Sequence, residues 1–368
     1  MLCLCRWVAG RDVLTAGAIK AQAARLGFDL CGIAPAVAFP ELRHLGRWLD
    51  RGLSGGMAFL SRSAADRMDP GRVLPGARSV IVTGTIYNTR RPRSIERADG
   101  IRALVSRCAW GSDYHVVIAG RLAALLSWMR ERAPVPFQAR ACVDTGPVQE
   151  KVFAHHAGLG WVGKHGCVVN PDLGSWFFLS VILSTLDLES DEPALDRCGA
   201  CTRCLDACPT RALLGPRLLD AGRCIAYLTI EARGAMPAEL RAVIGTRVFG
   251  CDVCQDVCPF NEAAPSSTAA EWQPRPGLED PPLADLWRLN DADLAGLVAG
   301  TAVARPALAA LRRNTAVAIG NALALDGEQV LASRDEPAAR GEAPSRYDPL
   351  VGEHVAWAVA RHRMKGLA

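Results

Sequence analysis

Eight of the fourteen cysteines fall between Cys198 and Cys258. Cys198-x2-Cys201-x2-Cys204-x3-Cys208-Pro209 has the spacing of a bacterial ferredoxin run, in which three thiolates grip one 4Fe-4S cluster and the fourth, beside proline, reaches a second. Cys251-x2-Cys254-x3-Cys258-Pro259 repeats that ending without its leading cysteine, which Cys224 can supply from upstream. Using each thiol once gives Cys198, Cys201, Cys204 and Cys258 to one cluster, and Cys208, Cys224, Cys251 and Cys254 to the other. Structural zinc competes for sets of four cysteines, but interleaved runs ending in Cys-Pro suit two neighbouring clusters. Paired clusters carry electrons singly and need somewhere to deliver them. The chain is therefore either a ferredoxin-like carrier or the holder of a further redox centre.

The elements that must position these thiols belong to a chain of 368 residues, 50% hydrophobic and 22% charged, which excludes disorder and predicts two or three packed units. The longest mostly apolar run, Trp176 to Leu186, is about half the roughly 20 residues that span a bilayer, and Met1 to Gly10 lacks an export pattern. A reducing cytoplasm, no membrane and free thiols are the expectation. The net charge is +4, and two oxidised clusters with their thiolates bring the sum to about zero. Nucleic-acid binding must then come from local patches.

Thr15 to Leu26 has a helical apolar rhythm ending at Gly27, and Phe28 to Ala34 and Ser79 to Thr85 read as strands. Tyr114 to Arg132 reads as a helix. Cys167 to Asn170 and Trp176 to Leu186 read as strands of a hairpin closed by Asn170-Pro171-Asp172-Leu173-Gly174. This alternation predicts an α/β domain with a central sheet over residues 1–190. Strand signal stops in 191–265, Ala263 to Pro282 reads as a linker or surface excursion, and the tail is helical, clearest at Arg305 to Leu323 and Leu350 to Arg363.

The block Cys142 to Leu188, with Leu74 to Ile81, Trp110 to His115, the doubled cysteine motif and Arg312 to Asn321, strongly resembles the epoxyqueuosine reductases, in this order along nearly the whole chain. The resemblance implies an α+β multidomain protein: an α/β cobalamin-binding domain (1–190), a ferredoxin-like domain with two 4Fe-4S clusters (191–265) and a tail of HEAT-like helices that holds transfer RNA (266–368). It implies removal of the epoxide oxygen of epoxyqueuosine at the wobble position of tRNA, with cobalamin refilled by the clusters from a flavodoxin- or ferredoxin-type donor, by a chain acting as a monomer. Asp144 matches the proton-donating aspartate, and burial beside a glycine turn would keep its carboxyl protonated near neutral pH. Arg67, Cys108, Lys164 and Ser175 join it as expected cobalamin contacts.

Lysine is scarce, four beside 38 arginines, so Lys151 and Lys164 invite a point-charge role against a corrin amide or phosphate. Gly158, Gly160, Gly163, Gly166 and Gly174 would admit a planar cofactor or simply make turns. His155 and His156, adjacent on a helix, should diverge and serve as partly buried or surface residues. Arg305, Arg312, Arg313, Arg361, Arg363 and Lys365 would offer one basic face to RNA, and Arg90, Arg91, Arg93, Arg97, Arg102 and Arg107 another. Gly352 stands where a basic residue is expected, Ala324 to Arg346 reads as a disordered insertion, and Cys3 and Cys5 have no role. The alternatives are a reductive dehalogenase, although the twin-arginine signal is missing, and a non-catalytic ferredoxin-like carrier with an RNA-binding tail.

Overall fold

The computed structural model describes residues 14–97, 99–322, 324–333 and 348–366. Cys3, Cys5 and most of the expected insertion lie outside the described residues. Within that insertion, Gly327–Ala332 is helical.

Helix α1, Ala16–Arg25, starts where Thr15 Oγ1 accepts from Ala18 N at 3.1 Å and stops at Gly27, whose φ of 85° needs no Cβ. Strands β1 (Leu30–Pro35) and β2 (Ser79–Ile86), helix α2 (Tyr114–Arg132), strand β3 (Ala139–Cys142), helix α3 (Glu150–His156) and strand β4 (Phe177–Ser184) follow. The sheet runs β1-β2-β4-β3 and is antiparallel at every pairing, so this unit is α+β rather than the expected α/β. Both central strands are buried on both faces because helices cover both. Ile33, Ile81 and Ile182 face α1 and α2, while Val80, Val82, Val181 and Leu183 share a core with Phe153 and Ala154 of α3. Thr83 and Ser180, opposite each other in register, hydrogen-bond at 2.6 Å inside the sheet.

The predicted hairpin does not form. Asn170 and Gly174 do make a tight two-way turn, but Val168–Val169 pairs with Trp161–Val162, and β4 inserts between β2 and β3. A strand apolar on both faces would be wasted at the edge that a hairpin would give it. The cysteine region is not strandless: Leu213–Gly215 pairs with Leu218–Leu219, and Arg247–Phe249 runs parallel to Leu104–Val105.

Ala263 to Pro282 is no free linker. Ser267 N donates to Asn88 O at 2.8 Å, Ser112 N to Glu271 O at 2.7 Å, and Trp272 is buried in the α1/α2 core. Gly111 makes this possible, since a Cβ there would stand 2.3 Å from Glu271 O.

In the tail, α4 (Leu308–Asn321) is buried along every residue from Ala310 to Gly320, and α5 (Pro349–Gly366) crosses it where a Cβ on Gly320 would meet Ala358 Cα at 2.9 Å. Arg312 and Arg313, expected to face RNA, are buried. Arg312 donates to Trp287 O and Asp291 Oδ1, both at 3.0 Å, and Arg313 to Leu228 O at 2.6 Å and Ala232 O at 2.9 Å. Carbonyls at helix ends, which the helix itself leaves without an intrahelical partner, accept from these guanidiniums. Arg107 is likewise interior, bonded to Asn88 Oδ1 and Thr89 O and lying over the rings of Trp110 and Trp176. Arg91, Arg93, Arg97 and Arg102 are paired with Glu279, Glu96, Asp280 and Asp99.

Candidate functional site

Asp144 is separated from the end of β3 by one residue, Val143, and takes a left-handed φ of 52° in the turn to α3. The turn closes tightly over Cys142, leaving 2.6 Å between its Sγ and a Cβ on Gly146, so only glycine fits there. The first turn of α2 meets this loop. Asp113 caps the helix through His115 N at 3.0 Å and holds His115 Nδ1 at 2.8 Å, which directs Nε2 to Asp144 Oδ2 at 3.3 Å. Tyr114 OH donates to the same Oδ2 at 2.9 Å, its ring stacked on Phe178 of β4 at 4.3 Å.

These donors, His115 first, hold the half-exposed Asp144 carboxyl below the usual range despite burial. The expectation of a neutral Asp144 is therefore corrected: opposing donors outweigh desolvation. The protons reside on its neighbours. His115 is pushed up by Asp144 and Asp113. Glu150, in the first turn of α3, accepts from Asp144 N at 2.9 Å and is raised to about 8 by burial and by the charge of Asp144. Tyr114 is raised by burial and by Asp144, and stays a donor. Sequence reasoning gave Tyr114, His115 and Glu150 no role. Their signal was only their membership in the quoted motifs.

Of the other expected cofactor contacts, Arg67 and Cys108 reach this place. Arg67 donates to Ser63 Oγ at 2.9 Å and feels Asp144 and Glu150. Cys108 lies 3.3 Å from Ser106 Oγ, within the field of Asp144, and burial pushes its thiol up to about 12. Arg305 arrives from the tail, held by Glu231 at 2.7 Å and sensed by both Asp144 and Tyr114.

Lys164 and Ser175 do not join them. Lys164 Nζ donates to Gly199 O at 2.6 Å and Cys201 O at 2.9 Å, bracing the first cysteine loop with its point charge. Ser175 is buried between Gln255 and Asn261, whose amides donate to its Oγ at 3.0 and 2.8 Å. The glycines of the matched block mostly answer to the chain itself: a Cβ would stand 2.2 Å from Val169 O at Gly160 and 2.2 Å from Asn261 Oδ1 at Gly174.

Electrostatic influence groups seven of the eight clustered cysteines. Cys204 feels Cys258 and Cys198, while Cys224 feels Cys208, Cys251 feels Cys224, and Cys254 feels Cys251 and Cys224. Trp161 Nε1 donates to Cys198 Sγ at 3.3 Å and Ala212 N to Cys208 Sγ at 3.2 Å, contacts that suit sulfur carrying negative charge. Cys167 has no part in either expected set, yet it lies near Cys254 and Cys224 on one side and Tyr87 on the other, and Tyr87 in turn senses Cys108.

Comparison with known proteins extends these observations over the chain. The epoxyqueuosine reductase QueG (DUF1730) family model matches residues 67–145, and the 4Fe-4S double cluster binding domain matches 197–261. Epoxyqueuosine reductases of Xanthomonas campestris and Pseudomonas aeruginosa are 40% and 41% identical to this chain, covering 94% of it and 96% and 94% of their own lengths. A crystal structure of an epoxyqueuosine reductase with an epoxyqueuosine-modified tRNA stem loop superposes with a TM-score of 0.83 at 28% identity, over 94% of this chain and 89% of that one. The Bacillus subtilis enzyme, solved with its catalytic aspartate loop swung out of the active site, superposes at 0.82, at 28% identity over 94% and 90%. The agreement in motif order, sequence and fold runs from one end of the described chain to the other, and the chain belongs to the epoxyqueuosine reductase family of oxidoreductases.

Proposed function

We propose that this chain reduces epoxyqueuosine at the wobble position of tRNA to queuosine in the cytoplasm, using cobalamin and two 4Fe-4S clusters fed by a flavodoxin- or ferredoxin-type carrier. The observation that carries this reading is the convergence of Tyr114, His115, Glu150, Arg67 and Cys108 on Asp144. Two electrons and two protons enter the epoxide, and an alkene and water leave.

The donor sets fit the cofactors. Eight thiols gathered into two groups of four at buried and half-buried positions suit metal cations, and Cys198, Cys201, Cys204 and Cys258 would hold one cluster, Cys208, Cys224, Cys251 and Cys254 the other. Arg67, a neutral Cys108 and the half-exposed Asp144 offer a cation, a soft thiol and an acceptor to a large amide-rimmed ligand such as cobalamin. When bound, that ligand supplies a strongly reducing cobalt centre.

The chain's own work is proton management. Oxygen leaves poorly as an alkoxide. His115 Nε2 returns a proton to Asp144 Oδ2, from which it passes to the departing oxygen. Neutral Glu150 stores a second proton beneath the same loop and avoids a second negative charge beside Asp144. Arg305 brings a positive charge from the tail into the field of Asp144 and Tyr114, and the helices of residues 283–366 would act as a HEAT-like platform for the anticodon stem, a reading supported by the solved relative that holds a modified stem loop.

The test is nucleoside mass spectrometry on epoxyqueuosine-containing tRNA incubated anaerobically with cluster-loaded protein, cobalamin and a strong reductant. Cobalamin-dependent appearance of queuosine is expected. No conversion, with clusters and corrinoid verified in place, overturns the assignment.

A further inference from the structure

The C-terminal end of α3 carries three side chains for which the reductase chemistry has no use. His155 and His156 close the helix, and Glu41 stands on the single turn Pro40–Arg43 that packs beside it. Adjacent helical side chains diverge by about 100°, yet here the backbone leaves the helix at Ala157 (φ −92°, ψ 9°) and both rings turn to one point. One ligand atom from each of the three residues lies within 4.8 Å of the other two.

Their hydrogen bonding is incomplete. Glu41 Oε2, His155 Nδ1 and His156 Nε2 are all shielded from water and none has a hydrogen-bond partner. Buried polar atoms are ordinarily satisfied, so three orphans facing one another mark a place built for something else. His156 Nε2 stands 3.5 Å from Glu41 Oε1 without a hydrogen bond between them. That separation is close to the edge of about 3.3 Å between ligands of a tetrahedral ion with bonds of 2.0–2.1 Å. Phe39 lies flat on the His156 ring at 3.5 Å and fixes its plane.

We propose that Glu41, His155 and His156 bind one divalent transition-metal ion of the zinc class, with water in the remaining position. Two imidazoles and one carboxylate exclude calcium and magnesium, which want all-oxygen shells. The ion is a structural clip. It ties the end of α3 to the turn at Pro40–Arg43, while the start of the same helix holds Glu150 under Asp144.

The test uses protein with both iron-sulfur clusters loaded, so that the cysteines are occupied. It is equilibrated anaerobically with one equivalent of zinc sulfate, desalted, and assayed for metals and for zinc X-ray absorption fine structure. The expected result is one zinc per chain in a nitrogen and oxygen shell near about 2.0 Å with imidazole scattering, and no sulfur shell near about 2.3 Å. His156→Gln and, since that ring also packs on Phe39, the half-exposed Glu41→Gln should each weaken zinc retention about tenfold or more, as even outer-shell changes do at metal sites. Iron content stays unchanged in both. Zinc also raises Tm in the parent and not in Glu41→Gln. Absence of retained zinc, a sulfur shell with loss of iron, or full retention in both variants overturns the proposal.

Discussion

Tyr114 and His115 both aim donors at Asp144 Oδ2, which makes the carboxylate a good proton acceptor in waiting and a poor acid until it is recharged. Asp144→Asn keeps the shape and removes the carboxylate that takes the proton from His115 and passes it on. Iron and cobalamin content should be retained while turnover falls about a hundred- to ten-thousand-fold, in single-turnover assays on modified tRNA. Turnover equal to the parent would dismiss Asp144 as the acid. Glu150 gives a stability readout with a definite sign. Its folded value of about 8 lies above the ordinary 4.5, so between those values the folded chain retains a proton that the unfolded chain releases. Stability from this group therefore declines as pH rises across that window and levels off above it. Glu150→Gln escapes the decline, so its apparent Tm should gain on the parent from about pH 5 to pH 8. A pH-independent gap would show that Glu150 is ionised. Asp144 and Arg67 were legible in the sequence because each sits in a recognisable local motif. The ionised state of Asp144 was not, because its donors come from a helix about 30 residues upstream and no local pattern records that contact.

At the scale of elements, apolar rhythm located α1, α2, β2 and the two long tail helices closely, because each buries a continuous face. The hairpin failed because a turn signal fixes only the chain reversal at Asn170 to Gly174. Which strand β4 pairs with is decided by covering both of its faces. Gly32 shows the same logic in packing: a Cβ there would stand 2.1 Å from Ala157 O, so β1 and the end of α3 touch through backbone. The cysteine runs were legible because ligand spacing is itself local, but Cys224 was drawn in only by the need for an eighth ligand. It caps the helix Ile225–Ile230 beside Cys208 and Cys251, in the second set. Cys224→Ala should cut iron to about half after reconstitution, leaving one cluster's paramagnetic signal on reduction. Iron for two full clusters would break the proposed pairing.

Over the whole molecule, the three sequence-defined units share their interiors. Ala103 to Trp110, from the first unit, and Val248 and Phe249, from the second, lie in one apolar core with α4 and α5. Linker composition at Ala263 to Pro282 could not reveal this, since what docks that segment is Trp272 and backbone contacts with distant residues. Arginine content misled for a related reason: composition does not distinguish a guanidinium that meets phosphate from one that satisfies carbonyls. Arg313 decides the matter, because it is fully buried in α4 and donates to carbonyls of Leu228 and Ala232 beside the second cysteine set. Arg313→Leu fills similar space but leaves those acceptors unpaired, at about 1–3 kcal/mol, the cost of a buried acceptor left without its donor. Apparent Tm should drop, and because Arg305 sits just before α4 and lends its charge to Asp144, turnover should fall with it. Arg363, exposed and paired with Glu328, is the contrasting case: Arg363→Ala should leave Tm and cluster content unchanged. If the tail holds tRNA, that same change should weaken binding and reduce the salt dependence of the affinity by about one counterion. A loss of Tm in Arg363→Ala but not in Arg313→Leu would reverse the assignment of which arginines hold the fold and which meet the substrate.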